Sequence, residues 1–471
     1  MPKDFRTFLA DYEAANPGMV VRISQEVSAC WEASAIAVKA QKELREAPVL
    51  IFERLRTTDG RISPYPTVLN LFASRPRCAF ALEADPRFAG QALYERRLDR
   101  VKPVVVSSEQ APVKEIIAIG DAIDVQEIPG VVHNAWDPGA YVSAGMLTTY
   151  DPESGVDNCA LQRGWLYDQR EIRVFPAGVS HNAWNLHKIE AAGEPARVAY
   201  WVGHHPLAYL GAEARMGYPE SHWDAAGGVL HEPLRLVPSE TLGEDFLVPA
   251  DAEWVIEGRI PPGVRKPEGP FGEYTRYFGG QGLRPVMEVS CISHRRDAHW
   301  LSIIPGRADE GIGIAALRRE GTLFDLLKRV VPQVINVYRP NSAPGHIYVQ
   351  LRKTQDWQPR AVITAALSSS ESIRHVFVFD EDIDIFDEEE IMWAIYSRSD
   401  WARDLVVIEN MFSTELEPTT TGHLVGTRAG LDCTVPAAPA VYERRSFIPS
   451  EVMDRVKLQD YVPADSPAWR H

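Results

Sequence analysis

From about residue 115 to 305 the chain is punctuated by Gly and Pro, and the intervals between them carry short strand-like apolar runs, such as 196–203 and 285–292. Runs this short cannot build a helical bundle. They point to a barrel-like β domain with irregular loops. The pattern then changes. Residues 312–331 place apolar side chains at helical spacing, 346–351 and 375–379 read as strands, and 388–397 reads as a helix, so the last part of the chain is α/β. Ahead of the β region, 5–13 reads as an amphipathic helix, 48–52 as a buried strand and 103–106 as an extended segment. At 471 residues the chain is too long for one core. The expected fold class is α/β in the multidomain α+β sense: an N-terminal α/β region over 1–114, a β domain over 115–310, a linker helix over 311–332 and a C-terminal α/β domain over 333–471. No internal repeat or low-complexity tract interrupts this plan.

Within the β region, one loop carries two acids under tight constraint. Glu268 and Glu273 flank Gly269, Pro270 and Gly272. Pro270 removes a backbone donor and restricts the residue before it, so neither acid can sit on a regular helix. The loop must be specially shaped, and loops that fix two acids relative to one another are places where proton chemistry happens. A surface turn with two solvated glutamates is the alternative reading.

A second segment runs from Asp157 to Arg163. Strand alternation puts Asn158, Ala160 and Gln162 on one face and Cys159, Leu161 and Arg163 on the other. An Asn oxygen can ligate a hard cation, and a strand Arg can hold a carboxylate in a two-pronged fork. An ordinary edge-strand Arg is the competing reading. His181, just ahead of a helix expected to run through Lys188, is either a metal ligand or a helix-start histidine. His187, His204 and His205 have no convincing partners and read as structural. The acidic run from Asp380 to Asp384 lacks the glycine and distant glutamate of a calcium loop, and reads as a solvated strand end. The glycines at 279, 280 and 282 are not followed at once by a helix, so they are a weak phosphate signal.

Net charge and cysteine usage narrow the partners. The formal charge is -16 and the pI about 5.3, which disfavours nucleic acid or an anionic membrane surface as partner. Five scattered cysteines without a Cys-x-x-Cys pair argue against a disulfide framework and a thiolate zinc site, and fit a reducing cytoplasm. The charged N-terminus does not resemble a signal peptide, and no apolar run approaches a membrane span.

Taken in order, these pieces resemble the UbiD-type decarboxylase family. The shared elements are Asn158 with Arg163, then His181, then Glu220 in a Gly-Tyr-Pro-Glu stretch, Leu247 to Ala250 with Glu257 and Gly258, the loop from Glu268 to Glu273, Asp382 to Asp384 with Trp393, and the run from Gly426 to Asp432. The resemblance covers roughly residues 115–440. It implies a split-barrel flavin-binding domain, a helix leading to a C-terminal oligomerisation domain, and prenylated FMN held through a divalent metal, Mn²⁺ or Mg²⁺, often with K⁺. The implied activity is reversible, non-oxidative decarboxylation of an aromatic, heteroaromatic or α,β-unsaturated acid through a covalent substrate–cofactor adduct.

Residue by residue, the resemblance assigns Asn158, His181 and Glu220 as metal ligands, with Glu240 as the fallback carboxylate. It assigns Arg163, Glu268 and Glu273 as the catalytic set. Glu273 is then the proton donor, and Arg163 orients the substrate carboxylate or its neighbouring acid. Arg428 falls where relatives carry a lysine near the cofactor phosphate. Ser180 stands where some relatives have a glutamine, and the stretch 211–220 departs from them in length and sequence. Other residues that could face a planar substrate are His299, Arg307, Phe271, Tyr274 and Tyr277, with packing as the alternative. The partners implied are a small planar carboxylic acid, CO₂, a flavin prenyltransferase as cofactor supplier, and further copies of the chain in a homodimer or larger assembly. Two other classes remain: a flavin oxidoreductase on a split-barrel scaffold, which needs a nicotinamide site, and a non-catalytic partner subunit, against which the retained acids argue.

Overall fold

The computed structural model describes residues 2–176, 178, 180–306, 309–420, 424–437, 442–443 and 445–463. Its centre is a strongly curled, mainly antiparallel sheet. Among the described residues the sheet has ten strands, in the order Tyr141–Val142, Gly164–Leu166, Glu171–Val174, Gly282–His294, Trp254–Ile260, Ala196–Val202, Met146–Tyr150 and Asp157–Leu161, with Arg265–Glu268 and Ile116–Ile119 also paired to Gly282–His294. The long strand Gly282–His294 is the organiser. It pairs with four others, and a register shift between Glu257 and Gly258 in its partner bends the sheet. Its interior side chains, including Val198, Tyr200, Val255, Ile256, Met287 and Ile292, are buried in the main core.

The N-terminal region forms a four-stranded sheet, Val20–Ser28, Val49–Arg56, Thr67–Leu69 and Trp300–Leu301. Its last strand returns from the far end of the central domain and lies parallel to Thr67–Leu69. The helix Phe5–Ala15 starts at Asp4, whose side chain accepts from the Thr7 amide while Thr7 reciprocates, a capping box that fixes the first turn.

The helix Asp309–Val330 crosses between two cores. Ile314 and Leu317 pack in the main core, Leu323 and Leu327 in that of the C-terminal domain. That domain is a five-stranded sheet in the order Val334–Tyr338, His346–Leu351, His375–Asp380, Val425–Cys433 and Leu405–Phe412, with the helix Gln358–Ser368 against it. The segments expected at 312–331, 346–351, 375–379 and 388–397 correspond to Asp309–Val330, His346–Leu351, His375–Asp380 and Glu388–Arg398. The acidic run at 380–384 is a largely solvated strand end leading to the helix Glu388–Arg398, as expected, but its aspartates are also paired. Asp380 and Asp382 both grip Arg398, and Asp384 pairs with Arg87 of the N-terminal region. No helix among the described residues is long and apolar enough to cross a membrane.

Candidate active site

Arg163 follows the strand Asp157–Leu161 and lies one residue before Gly164–Leu166, so the turn between two sheet strands aims it. Its Nε donates to Glu268 Oε1 at 2.9 Å and its Nη2 to Glu268 Oε2 at 2.8 Å, a two-pronged pair. Its remaining prong, Nη1, donates to Glu273 Oε1. One guanidinium thus holds both acids of the loop at 268–273. Glu268 is fully buried and also accepts from the Tyr141 hydroxyl at 3.0 Å. Phe175 and Phe271 lie against Arg163, with its guanidinium carbon 4.3 and 4.8 Å from their ring centres.

The loop itself is anchored by backbone. Glu268 ends the strand Arg265–Glu268, and the Pro267 carbonyl accepts from Arg173 at 2.6 Å. Gly269 has φ +83°, and a Cβ there would come 3.2 Å from the Gly280 carbonyl, so only glycine fits. Past Phe271–Gly272, the Gly272 amide donates to Asp137 at 3.2 Å and the Glu273 amide to the Tyr277 carbonyl at 2.9 Å. A surface turn with solvated acids is therefore excluded.

The two acids are in unequal surroundings. Burial pushes the Glu273 carboxyl up, against the pull of Arg163 and with the help of the Glu268 charge, to about 7. For Arg163, burial opposes its charge, but the Glu268 hydrogen bonds and the Glu273 charge outweigh burial, so the guanidinium stays charged. Glu273 borders a cavity of about 380 Å³ with Arg163, Phe175, Tyr277, Arg284 and, from the C-terminal domain, Glu415.

At the other end of the strand Asp157–Leu161, a second cavity of about 740 Å³ is lined by Asn158, Ser180, His181, Glu213, Arg215, His222, Arg318 and Arg319 from the central domain and linker helix, and by Ser370, Glu371 and Phe412 from the C-terminal domain. Four residues lie between Asn158 and Arg163, so five steps along the chain separate them, at most about 16 Å at the usual strand rise. His181 opens the helix His181–Ala191, whose cap is Ser180: its hydroxyl accepts from the Ala183 amide at 3.2 Å and from Gln162 Nε2 at 3.1 Å. Asn182, fully buried, binds these parts together. Its Oδ1 accepts from Asn158 at 2.5 Å and from Thr149 at 2.7 Å, and its Nδ2 donates to Gln162 at 3.2 Å. Asn158 and Gln162 thus share a face, as alternation requires. With its nitrogen committed to Asn182, Asn158 offers its oxygen to the cavity. Burial and nearby Arg215 hold His181 below its ordinary value, with Glu220 pulling the other way, which favours a neutral imidazole.

Other expected residues lie elsewhere. Glu220 is about half exposed and pairs with Arg100 at 2.9 Å, outside the cavity wall. It directly precedes Ser221, the cap of the helix His222–Leu230, and its charge acts on His181. Glu240 pairs with Lys114 at 3.1 Å, also away from both cavities. Arg428 is buried, but its fork is spent on the carbonyls of Leu367, Ser370 and Phe412, where it ties the C-terminal domain together. His299 packs at 5.9 Å from Phe5, with its amide on Glu253, and lines neither cavity. Arg307 lies outside the described residues. Phe271 is buried behind Arg163, Tyr274 reaches Glu417 at 3.4 Å, and only Tyr277 of the three aromatics lines the smaller cavity. His187 is exposed, His204 accepts from the His205 amide, and His205 caps the helix Pro206–Ala212. The residues not foreseen are Tyr141, Asn182, Glu213, His222 and the guanidinium group of Arg215, Arg318 and Arg319. Asn182 adjoins His181; the others are brought in by folding from segments with no motif of their own. Burial and neighbouring Arg318 pull Arg319 down to about 10, which marks it as a cation held with too little countercharge.

The chain is similar in sequence and fold to known proteins. Residues 13–96, 104–308 and 313–433 match the N-terminal, Rift-related and C-terminal domains of the UbiD family, described as 3-octaprenyl-4-hydroxybenzoate carboxy-lyase. The chain superposes on the UbiD-class enzyme HmfF from Pelotomaculum thermopropionicum, solved with FMN, with a TM-score of 0.89, 33% identity, and coverage of 98% of this chain and 100% of that one. An evolved dimeric form of the same enzyme, solved with prenylated FMN, gives 0.86 and 32%, with the same coverage. Phenolic acid decarboxylase of Sedimentibacter hydroxybenzoicus is 28% identical over 93% of this chain and 92% of its own. Anhydromevalonate phosphate decarboxylase of Methanothermobacter thermautotrophicus is 28% identical over 89% of this chain and 94% of its own. With an acid pair on one arginine, a cation-lined cavity along the same strand and these matches across all three regions, the chain belongs to the UbiD family and is a carboxy-lyase.

Proposed function

We propose that the protein decarboxylates a planar aromatic, heteroaromatic or enoic acid with prenylated FMN as cofactor. The observation that carries this is the pairing of Glu268 and Glu273 on Arg163, with Glu273 at about 7 on the wall of a 380 Å³ cavity. The residues fit such a group. Asn158 and His181 offer an amide oxygen and a neutral imidazole for a divalent ion at the phosphate end, and Arg215, Arg318 and Arg319 supply positive charge for an anion there. Losing CO₂ from an sp² carbon leaves an electron pair that no side chain can hold; prenylated FMN, when bound, would supply the electron sink.

The chain's own residues supply the rest. Arg163 fixes the loop acids and presents positive charge where the substrate carboxylate docks. The bond from the substrate carbon to its carboxyl group breaks, CO₂ departs, and Glu273 gives its proton to that carbon to form the C–H bond. Glu273 then regains a proton from solvent. A carboxyl group near 7 is suited to both halves of that cycle and, run backwards, to carboxylation. Phe175 and Phe271 keep water from the guanidinium, which strengthens its electrostatics.

The test is to co-express the chain with a flavin prenyltransferase, identify the bound cofactor by native mass spectrometry and absorbance, and screen planar acids for CO₂ release beside NADH oxidation. Prenylated FMN with CO₂ release is the expected result. Ordinary FMN with NADH turnover and no CO₂ release would move the protein to the flavin oxidoreductases.

A further inference from the structure

The cavity that holds Asn158 and His181 contains a second imidazole with an uncommitted nitrogen. His222 is buried. Its Nδ1 lies 2.6 Å from the Ala212 carbonyl, which can only accept, so the proton is on Nδ1 and the lone pair on Nε2. That Nε2 is buried and has no hydrogen-bond partner among the described residues. Leaving a buried acceptor unmade costs about 1–3 kcal/mol, and such a group calls for an occupant. His204 Nε2 is also without a hydrogen-bond partner among the described residues, but it packs against Trp201 and lines neither of the two cavities.

The position of His222 is tightly set. The Asp157 carboxylate accepts from the His222 amide at 2.7 Å, the Trp223 amide at 3.0 Å and the Ser221 hydroxyl. The start of the helix His222–Leu230 is therefore clamped to the residue next to Asn158. Asn158 is in turn joined to the residue after His181 through Asn182. Three neighbouring anchor points hold Asn158, His181 and His222 around one space. An imidazole that donates one ring N–H to a carbonyl and leaves the other nitrogen bare is the usual arrangement of a metal-ligating histidine. The nearby carboxylates have other partners. Glu220 is on Arg100, Glu213 accepts from the Leu161 amide and pairs with Arg318 at 3.1 Å, and Glu371, from the C-terminal domain, accepts from the Ser370 hydroxyl at 3.3 Å.

We propose that His222 Nε2 is the third protein ligand of the divalent ion, alongside Asn158 and His181, and that Glu220 is not a ligand. This rests on the metal-bridged cofactor reading above. It has a chemical consequence. A trio of one amide and two imidazoles brings no negative charge, so the anionic phosphate must supply it, and metal and phosphate binding become strongly interdependent. Imidazole in place of carboxylate also disfavours Mg²⁺ relative to Mn²⁺ and later transition ions.

The experiment is Mn²⁺ binding to the full-length chain with FMN present, read by electron paramagnetic resonance with detection of ¹⁴N couplings, on the wild type and on His222→Gln, His181→Ala and Glu220→Gln, each checked for fold by circular dichroism. The wild type should show two imidazole nitrogens on the bound Mn²⁺, and equimolar Mg²⁺ should not displace it. His222→Gln should show one nitrogen and bind Mn²⁺ more than about tenfold more weakly, while Glu220→Gln should match the wild type. Wild-type binding with a single imidazole, or loss of binding in Glu220→Gln with none in His222→Gln, would overturn the assignment of His222 alone. A folded wild type that holds FMN and no Mn²⁺ would overturn the metal-bridged reading together with it.

Discussion

Replacing Glu273 by Gln separates the acid's role in turnover from its effect on stability, and the two should move in opposite directions. The substitution keeps the shape of the side chain and an oxygen for Arg163, and removes the proton. General-acid help is typically worth about 10²–10⁴-fold, so turnover should fall by roughly 3–5 kcal/mol of barrier with cofactor and metal content unchanged. In the wild type the protonated form is the competent donor, so decarboxylation should decline as pH rises through about 7. The sign for stability follows from the same shift. The carboxyl is raised from its ordinary 4.5 to about 7 in the fold, so the native state disfavours its charge. Below 4.5 the group is protonated in both states and contributes nothing. Between 4.5 and 7 a penalty grows, and above 7 it is complete at about 3 kcal/mol, since each tenfold in the ionisation constant is about 1.4 kcal/mol. Glu273→Gln removes that penalty. The assays are initial rates of CO₂ release from pH 5.5 to 8.5 and denaturant unfolding at pH 4.5 and 8. A variant within about threefold of wild-type turnover would remove Glu273 from the acid role. A variant less stable than wild type at pH 8 would refute the burial argument.

Three further outcomes follow from the site. Arg163→Lys should lose the fork that spans both acids, because an ammonium cannot reproduce the geometry; turnover should drop at least about tenfold, and an unchanged rate would show that only the charge matters. His181→Ala should bind less Mn²⁺ by elemental analysis and retain less flavin after gel filtration, whereas full occupancy of both would remove it from the metal site. Arg428→Met strands three carbonyls in the C-terminal domain and should destabilise the protein by roughly 2–4 kcal/mol in denaturant melts, with FMN affinity within about threefold of wild type; a selective loss of FMN affinity would return Arg428 to the phosphate.

The ends of the argument that depend on local chemistry could be read in the sequence. A Gly-Pro step between two glutamates ruled out a regular helix and called for a shaped loop, and the alternation from Asn158 pointed to a strand, which runs over Asp157–Leu161. Helical spacing marked the linker from 312 onward, although not that one helix would serve two cores. What the sequence could not rank was which of several acids and cations of equal local merit would meet. Glu220 has the better motif and His222 has none, yet the clamp of Asp157 on the helix start brings His222 to the cavity wall and leaves Glu220 to Arg100. Arg428 has a motif position and spends its donors on carbonyls, while Arg318 and Arg319 come from the linker helix, where no motif marked them, and line the cavity. Local pattern is set by neighbours within a few residues, through backbone sterics and side-chain periodicity. Site membership is set by contacts between segments tens to hundreds of residues apart, such as Arg163 with Glu268 and Glu273, or Tyr141 with Glu268, and burial then fixes the proton affinities. The sequence by itself determined the elements and the chemistry on offer; only the tertiary structure decided which groups share a dry cavity, because desolvation and partner geometry exist only once the chain has closed around them.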